Sequence, residues 1–577
     1  MAPPSVPSAN GGLASDVEKQ QPASDIQSGA FKNVETKHAV DGENNRVVES
    51  MKVSLSLQSD RESEYESEID TNEDLSVETE PDQDSLDNNE NKSKFMHGKN
   101  RVVGAVSAAS LIFASYSTLR RRQDHMTSLP SVLAAPTLRN RSILSLLSNI
   151  TSKALRPSIP VGTFASLNSA HGYFRAGPLP PENNTHSWRE IVVNPHDREV
   201  LAVDWEMPHF SSASETESVH SGGIIRRSVV LLLHGLNNDS SFGYVRACSR
   251  AAADAGFVVA SLNYRGCGGT KLQTVRGFNA GFTGDLRCVV DKIAERIWNG
   301  DGNIKADGSL TPCRLFLVGF SLGANMVVKF LGEEGREGSL HPIVGGAVSV
   351  SNPFRLNGAT IPYTTGFLLG MGVKRTFLRN VNSPVGHFAA RCSTFGNMFK
   401  SVMWAPTIGS IDNSFAPHMI CVEAEHPFVP HTRGYADGAE YWAESSSSRL
   451  VGFVNVPLLV LTAEDDFISG KGFMSAIYPG IVRNPNIIVI RTTTGGHLGW
   501  HDASSFNVFG RNPLGRGLGW ADMAVVDFLK ALLATTATDN VSKISEQASS
   551  SSLKDNRGSQ TGEILKGDNT MLLQSKL

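Results

Sequence analysis

The sequence predicts an α/β domain: a mostly parallel central sheet with helices on both faces and a helical cap insert. Three observations carry that expectation. Residues 229–233 (VVLLL), 258–262, 315–318, 347–350, 458–461 and 487–490 are short unbroken runs dominated by Leu and β-branched residues, the texture of strands buried on both faces. Helix-like stretches at 247–255, 285–297 and 324–331 fall between them, and strands alternating with helices mean parallel crossovers. The third is the pentapeptide Gly319-Phe320-Ser321-Leu322-Gly323, placed directly after one such run and directly before a helical stretch.

Taken in chain order, the first segment cannot fold on itself. Between residues 60 and 90 there are 14 acids against one base, Arg61, and Tyr65 is the one aromatic. Residues 1–92 hold 21 acids and 7 bases, a net of −14, while the whole chain stands at −4. The remainder is therefore net positive, and 1–92 reads as a solvated, disordered acidic tail. Residues 102–119 (VVGAVSAASLIFASYSTL) are uncharged, at the lower limit for a helix crossing about 30 Å of hydrocarbon. Lys92, Lys94, Lys99 and Arg101 precede the run and Arg120, Arg121 and Arg122 follow it. A single-pass membrane anchor over 93–125 is the expectation, with orientation open because both flanks are basic; an internal Ala/Ser-rich helix is the other reading. Its position behind an acidic segment excludes a cleavable secretory signal. Ile143, Leu146, Leu147 and Ile150 recur at helical spacing, which suits a membrane-surface helix or packing on the main domain. The folded domain is expected over residues 140–535, with its cap insert at about 355–455, and a Ser-rich disordered tail over 536–577.

Six cysteines are scattered without a C-x-x-C pair or a Cys/His cluster, so neither a zinc site nor a disulfide framework is expected. Gly266-Cys267-Gly268-Gly269-Thr270-Lys271 lacks phosphate-loop spacing and reads as a tight turn after a strand. No cofactor, metal or nucleic acid is called for.

The pentapeptide is a G-x-S-x-G elbow in the strand-to-helix setting it needs, which lifts the serine oxygen clear of the backbone. A serine at its ordinary pKa is a weak nucleophile, so a base and an orienting acid must follow. Residues 456–461 run into Glu464, Asp465 and Asp466, and residues 487–490 are followed by the glycine-flanked His497. The expected set is Ser321 as nucleophile, His497 as general base then acid, and Asp466 as the group holding the histidine. Asp465 is the competitor; its other role is a loop carboxylate capping backbone amides. Two backbone N–H groups, those of Leu322 and Leu236, are expected to face the oxyanion. His234 and Asp239 form an H-x-x-x-x-D spacing, read as accidental, with His234 supporting the oxyanion loop.

The series His234-Gly235-Leu236, Asn263-Tyr264-Arg265-Gly266-Cys267-Gly268-Gly269, Gly281-Phe282-Thr283-Gly284-Asp285-Leu286, the elbow, and Val348-Ser349-Val350-Ser351-Asn352-Pro353-Phe354 resembles the fourth family of α/β-hydrolases. Val203-Asp204-Trp205, Ile411-Asp412-Asn413-Ser414-Phe415, Tyr441-Trp442, Ser445-Ser446-Ser447 and Ala463-Glu464-Asp465-Asp466 add to it; Phe467 stands where that family usually has proline. The family groups bacterial carboxylesterases, plant embryogenesis-associated proteins and animal membrane-anchored acylglycerol lipases and phospholipases. The resemblance covers roughly residues 150–535 and implies the α/β-hydrolase fold, hydrolysis of monoacylglycerols or short- to medium-chain acyl esters, and single-pass anchoring. Phe367, Leu368, Leu369, Met371, Phe395, Met398, Phe399, Met403 and Trp404 in the insert suit an apolar roof over an acyl chain. Two other functions share these residues: an acyltransferase in which an alcohol resolves the acyl-enzyme, and a catalytically silent binding protein.

Overall fold

The structure, a computed structural model, describes residues 113–174, 186–274, 277–297, 303–304, 310–311, 313–381, 393–418, 435–469, 473–502 and 519–536. The chain divides into Met1–Asn100 and Arg101–Leu577. The acidic tail expected at 1–92 and the segment 537–577 lie outside the described residues.

Nine strands form one sheet: β1 (Ser131–Ala134), β2 (Ser187–Val193), β3 (Val200–Glu206), β4 (Val229–Leu233), β5 (Val258–Asn263), β8 (Leu315–Phe320), β9 (Val344–Val350), β10 (Leu458–Ala463) and β11 (Ile487–Thr492). A two-stranded ribbon pairs β6 (Asn303–Ile304) with β7 (Leu310–Thr311). The sheet order is β1-β11-β10-β9-β8-β4-β5-β3-β2. The six strands from β11 to β5 run parallel, while β1, β3 and β2 join antiparallel at the margins. All six expected strands are present. Every residue of β4, β5, β8 and β10 is buried, which explains their unbroken apolar runs.

The helices that cover the sheet are α1 (Leu138–Leu146), α2 (Ala165–Phe174), α3 (Gly243–Asp254), α4 (Gly284–Ala294) and α5 (Leu322–Glu337). Then come α6 (Tyr363–Val381), α7 (Ser393–Trp404), α8 (Ile408–Phe415) and α9 (Gly438–Ser445) of the insert, and finally α10 (Phe473–Arg483) and α11 (residues 520–536). Alternation along each strand divides the core in two. Val229, Leu231 and Leu233 pack with α4, α5 and α10 on one face, and Val230 and Leu232 pack with α1, α3 and α11 on the other. Each such buried side chain contributes roughly 1.5–3 kcal/mol. Ile143, Leu147 and Ile150 are 0%, 0% and 3% exposed in that second layer while Leu146 is 49% exposed, so three of the four residues at helical spacing pack in the core.

The expected anchor is not supported. Among the described residues no helix is long and apolar enough to cross a membrane. Residues 113–126 are helical but take in Arg120, Arg121 and Arg122, and residues 102–112 of the uncharged run lie outside the described residues. The sheet also starts upstream of residue 140, since β1 pairs along the whole of its length with β11.

Candidate active site

Parallel strands deliver their C-terminal ends to one edge, and the candidate residues sit there. β8 ends at Phe320 and α5 starts at Leu322, leaving Ser321 at φ 54°, ψ −117°. A non-glycine residue held there stores about 1–3 kcal/mol of strain. The flanking glycines make the turn possible: a Cβ on Gly319 would meet the Gly323 carbonyl oxygen at 2.3 Å, and one on Gly323 would meet the Leu233 oxygen at 2.3 Å. Backbone bonds fix the serine, whose N–H donates to the Val350 oxygen at 2.9 Å while its carbonyl accepts from Asn325 N–H at 3.1 Å.

Ser321 Oγ lies 2.7 Å from His497 Nε2. The other ring nitrogen, Nδ1, is 2.9 Å and 3.1 Å from the two Asp466 oxygens. Burial alone would raise the Asp466 carboxyl, but the facing His497 ring and hydrogen bonds from Ser469 outweigh it and hold the group below its ordinary value. Ile468 and Ser469 N–H groups both donate to Oδ1 at 3.0 Å, and Ser469 Oγ to Oδ2 at 2.8 Å. Asp465 points away from the ring: it accepts from Gly496 N–H at 2.7 Å and Thr494 Oγ1 at 3.2 Å. The histidine loop is also held from the N-terminal side, where Ser169 Oγ on α2 accepts from His497 N–H at 2.7 Å.

Leu322 opens α5, so its N–H is among those a helix leaves without an internal partner and which carry the positive end of the helix dipole. Leu236 lies across the cleft beside Gly235, where an added Cβ would come within 3.4 Å of Ser321 Cβ. Gly235 N–H donates to the buried Tyr244 hydroxyl at 2.8 Å, and the Asn238 amide donates to the same oxygen at 2.5 Å. His234 is enclosed: its Nδ1 donates to the Gly235 carbonyl at 2.8 Å and Nε2 accepts from Tyr264 N–H at 3.4 Å. Burial lowers its ring to about 4, and one donor plus one acceptor is what a neutral imidazole can satisfy. Asp239 caps its own turn through Ser241 N–H at 2.9 Å and makes no hydrogen bond to His234 among the described residues.

Ser321, His497, Leu236 and Leu322 line a cavity of about 310 Å³. Cys267 lines it too, but burial pushes its thiol up to about 12, which removes it as a rival nucleophile. The roof differs from expectation. Leu369, Val373 and Phe377 line the cavity, whereas Phe367, Leu368 and Met371 are 43%, 70% and 51% exposed and Trp404 is 86% exposed. Met403 is absent from the cavity wall, and the side chains of Phe395 and Met398 lie outside the described residues. Among those residues, no group of three His, Cys, Asp or Glu is placed to hold a metal ion. Sequence reasoning missed Ser169 and Tyr244, which carry no local pattern, and gave Asp412 no role although it lines the cavity.

No family model matches the chain. Curated proteins do. An abhydrolase domain-containing protein of Dictyostelium discoideum is 25% identical over 358 residues, 61% of this chain and 76% of its own length. The embryogenesis-associated protein EMB8 of Picea glauca is 26% identical over 60% of this chain and 66% of its own, and a monoacylglycerol lipase of Saccharomyces cerevisiae is 27% identical over 51% and 59%. Among solved structures, a Pyrococcus furiosus esterase is 15% identical, covers 62% of this chain and 98% of its own, and superposes with a TM-score of 0.32; the strand order above, not that likeness, carries the fold.

Proposed function

Since the chain is an α/β-hydrolase, we propose that it is a serine-dependent carboxylic ester hydrolase acting on lipid-like esters such as monoacylglycerols or short- to medium-chain acyl esters. The observation that supports this most is the 2.7 Å contact of Ser321 Oγ with His497 Nε2, backed by Asp466, at the rim of a largely apolar cavity.

In this reading His497 carries its proton on Nδ1, donating to Asp466, so that Nε2 accepts the Ser321 proton as Oγ attacks the ester carbonyl. Negative charge develops on the carbonyl oxygen, where the Leu322 and Leu236 N–H groups would receive it; one such donor is worth about 3–4 kcal/mol of transition-state stabilisation. The imidazolium returns its proton to the departing alcohol, leaving an acyl group on Ser321. Water then attacks the acyl carbonyl, giving its proton to Nε2, and the acid leaves as the proton returns to Oγ. An alcohol in place of water would make the same intermediate an acyltransferase, which product analysis separates from hydrolysis.

A fluorophosphonate probe with peptide mapping is expected to label Ser321, and absence of label there would remove the assignment. Changing Ser321 to Ala is expected to lower kcat on a p-nitrophenyl ester by at least about 10³ with an unchanged unfolding midpoint. Near-normal turnover would refute the role.

A further inference from the structure

Most polar groups on the cavity wall are already engaged. Arg265 forks onto Asp285 and Asp197, and the Asn237 amide donates to the Leu369 carbonyl at 3.0 Å. Asp412, on α8, differs. It is the one carboxyl among the lining residues, its Oδ2 accepts from Trp442 Nε1 at 2.8 Å, and among the described residues it has no further hydrogen bond and no ion pair. Burial pushes the carboxyl up to about 7, opposed by the indole hydrogen bond alone.

Asp412 is half-buried and its second oxygen is not sealed from solvent, so a hydroxyl entering the cavity can replace water on it. Trp442, which fixes the carboxyl, belongs to the apolar cluster that holds Leu322 and packs against Leu236, the two residues whose amides would receive the carbonyl oxygen in the proposed reaction. We propose that Asp412 is the subsite for the alcohol portion of the substrate, hydrogen bonding a free hydroxyl of a polyol monoester. This rests on the ester-hydrolase reading and narrows it. A hydroxyl suits this group in either form, donating to the carboxylate and accepting from the acid, whereas a quaternary ammonium suits the carboxylate alone.

Binding tests the subsite without requiring turnover. The probes are 1-O-octylglycerol and octyl ethyl ether, neither hydrolysable, titrated calorimetrically into the full chain below their aggregation limits. The expected result is octylglycerol bound at least about ten-fold more tightly, one hydrogen bond's worth. Asp412→Leu is expected to abolish that preference with octyl ethyl ether binding unchanged, and Asp412→Asn, which keeps an oxygen for Trp442, to retain part of it. Equal binding of the two ethers by the unaltered protein would overturn the proposal. So would a parallel loss of both ethers in Asp412→Leu, which marks a mere brace for the indole, or tighter binding of octyltrimethylammonium than of octylglycerol. Turnover of monooctanoylglycerol and ethyl octanoate by the unaltered protein tests the underlying reading separately. Preference without turnover removes the enzyme assignment and leaves the subsite; turnover without preference does the reverse.

Discussion

Asp465 and Asp466 stand side by side at the tip of β10 and are moved in opposite directions. Burial raises Asp465, which bonds only loop donors in the contacts above, while the His497 ring turns the same burial penalty on Asp466 into a lowered pKa. Asp466→Asn is accordingly expected to reduce kcat by about 10³–10⁴, as loss of the histidine's orienting charge does. Asp465→Asn is expected to act through the loop alone and to cost about ten-fold at most. Both are read on the same p-nitrophenyl ester, and equal losses would undo the distinction. The sequence left this pair open because two adjacent carboxyls after a strand have one local signature, and only side-chain direction separates them. His234 gives a pH prediction of definite sign. Its folded pKa is lowered from 6.5 to about 4, so the unfolded chain binds the extra proton first, and the contribution present above about 6.5 is lost as pH falls toward 4. Asp412, raised from 3.8 to about 7, has the opposite slope over nearly the same window. The measurement is therefore a difference: the stability of the unaltered protein minus that of His234→Asn is expected to shrink by about 3 kcal/mol between pH 7 and pH 4. A flat difference would mean that the ring stays accessible to protons.

Among the elements, α5 does more than carry the serine. Asn325, fully buried, donates to the Ser445 carbonyl at 2.7 Å and accepts from Ser447 N–H at 2.9 Å. One side chain thus ties the helix that follows Ser321 to the end of α9 and the turn after it. Asn325→Ala leaves a buried carbonyl and a buried amide unpaired and is expected to destabilise by about 2 kcal/mol, read as a lower denaturant midpoint; an unchanged midpoint would show that water replaces the amide. Legibility also varied by element. β4, β5, β8 and β10 were readable because both faces are covered. β2 and β1 were not: β2 alternates between exposed positions and half-buried ones, with Val192 alone buried, and β1 is exposed over its first two residues, the mixed texture of marginal strands. In α6, composition foretold an apolar roof but not its orientation. Leu369, Val373 and Phe377 point inward by helical spacing, while Phe367, Leu368 and Met371 fall on the opposite face, and a stretch apolar all round, as residues 366–373 are, does not declare in sequence which side is which.

For Arg101–Leu577 as a body, what the sequence could not reveal was closure by its own beginning. Ser158, Gly162, Asn168 and Ser169 bond His501, Thr494 and His497 across the cleft edge, and β1 covers the flank of β11. A chain started at Ser187 would bare β11 as an apolar edge, a template for association, and strip His497 N–H of its acceptor. It is expected to lose esterase turnover and to elute as large aggregates in size-exclusion chromatography; a monomeric, active product would show that the strap is dispensable. The same stitch constrains how the protein is made. Ser131 Oγ bonds the Arg491 carbonyl across 360 positions of sequence, and a ribosome delivers the N-terminal side first. The first strand of the sheet must wait unpaired until β11 emerges, so the setting of His497 is completed only then, and a nascent chain arrested before Ile487 carries the Ser321 turn without His497.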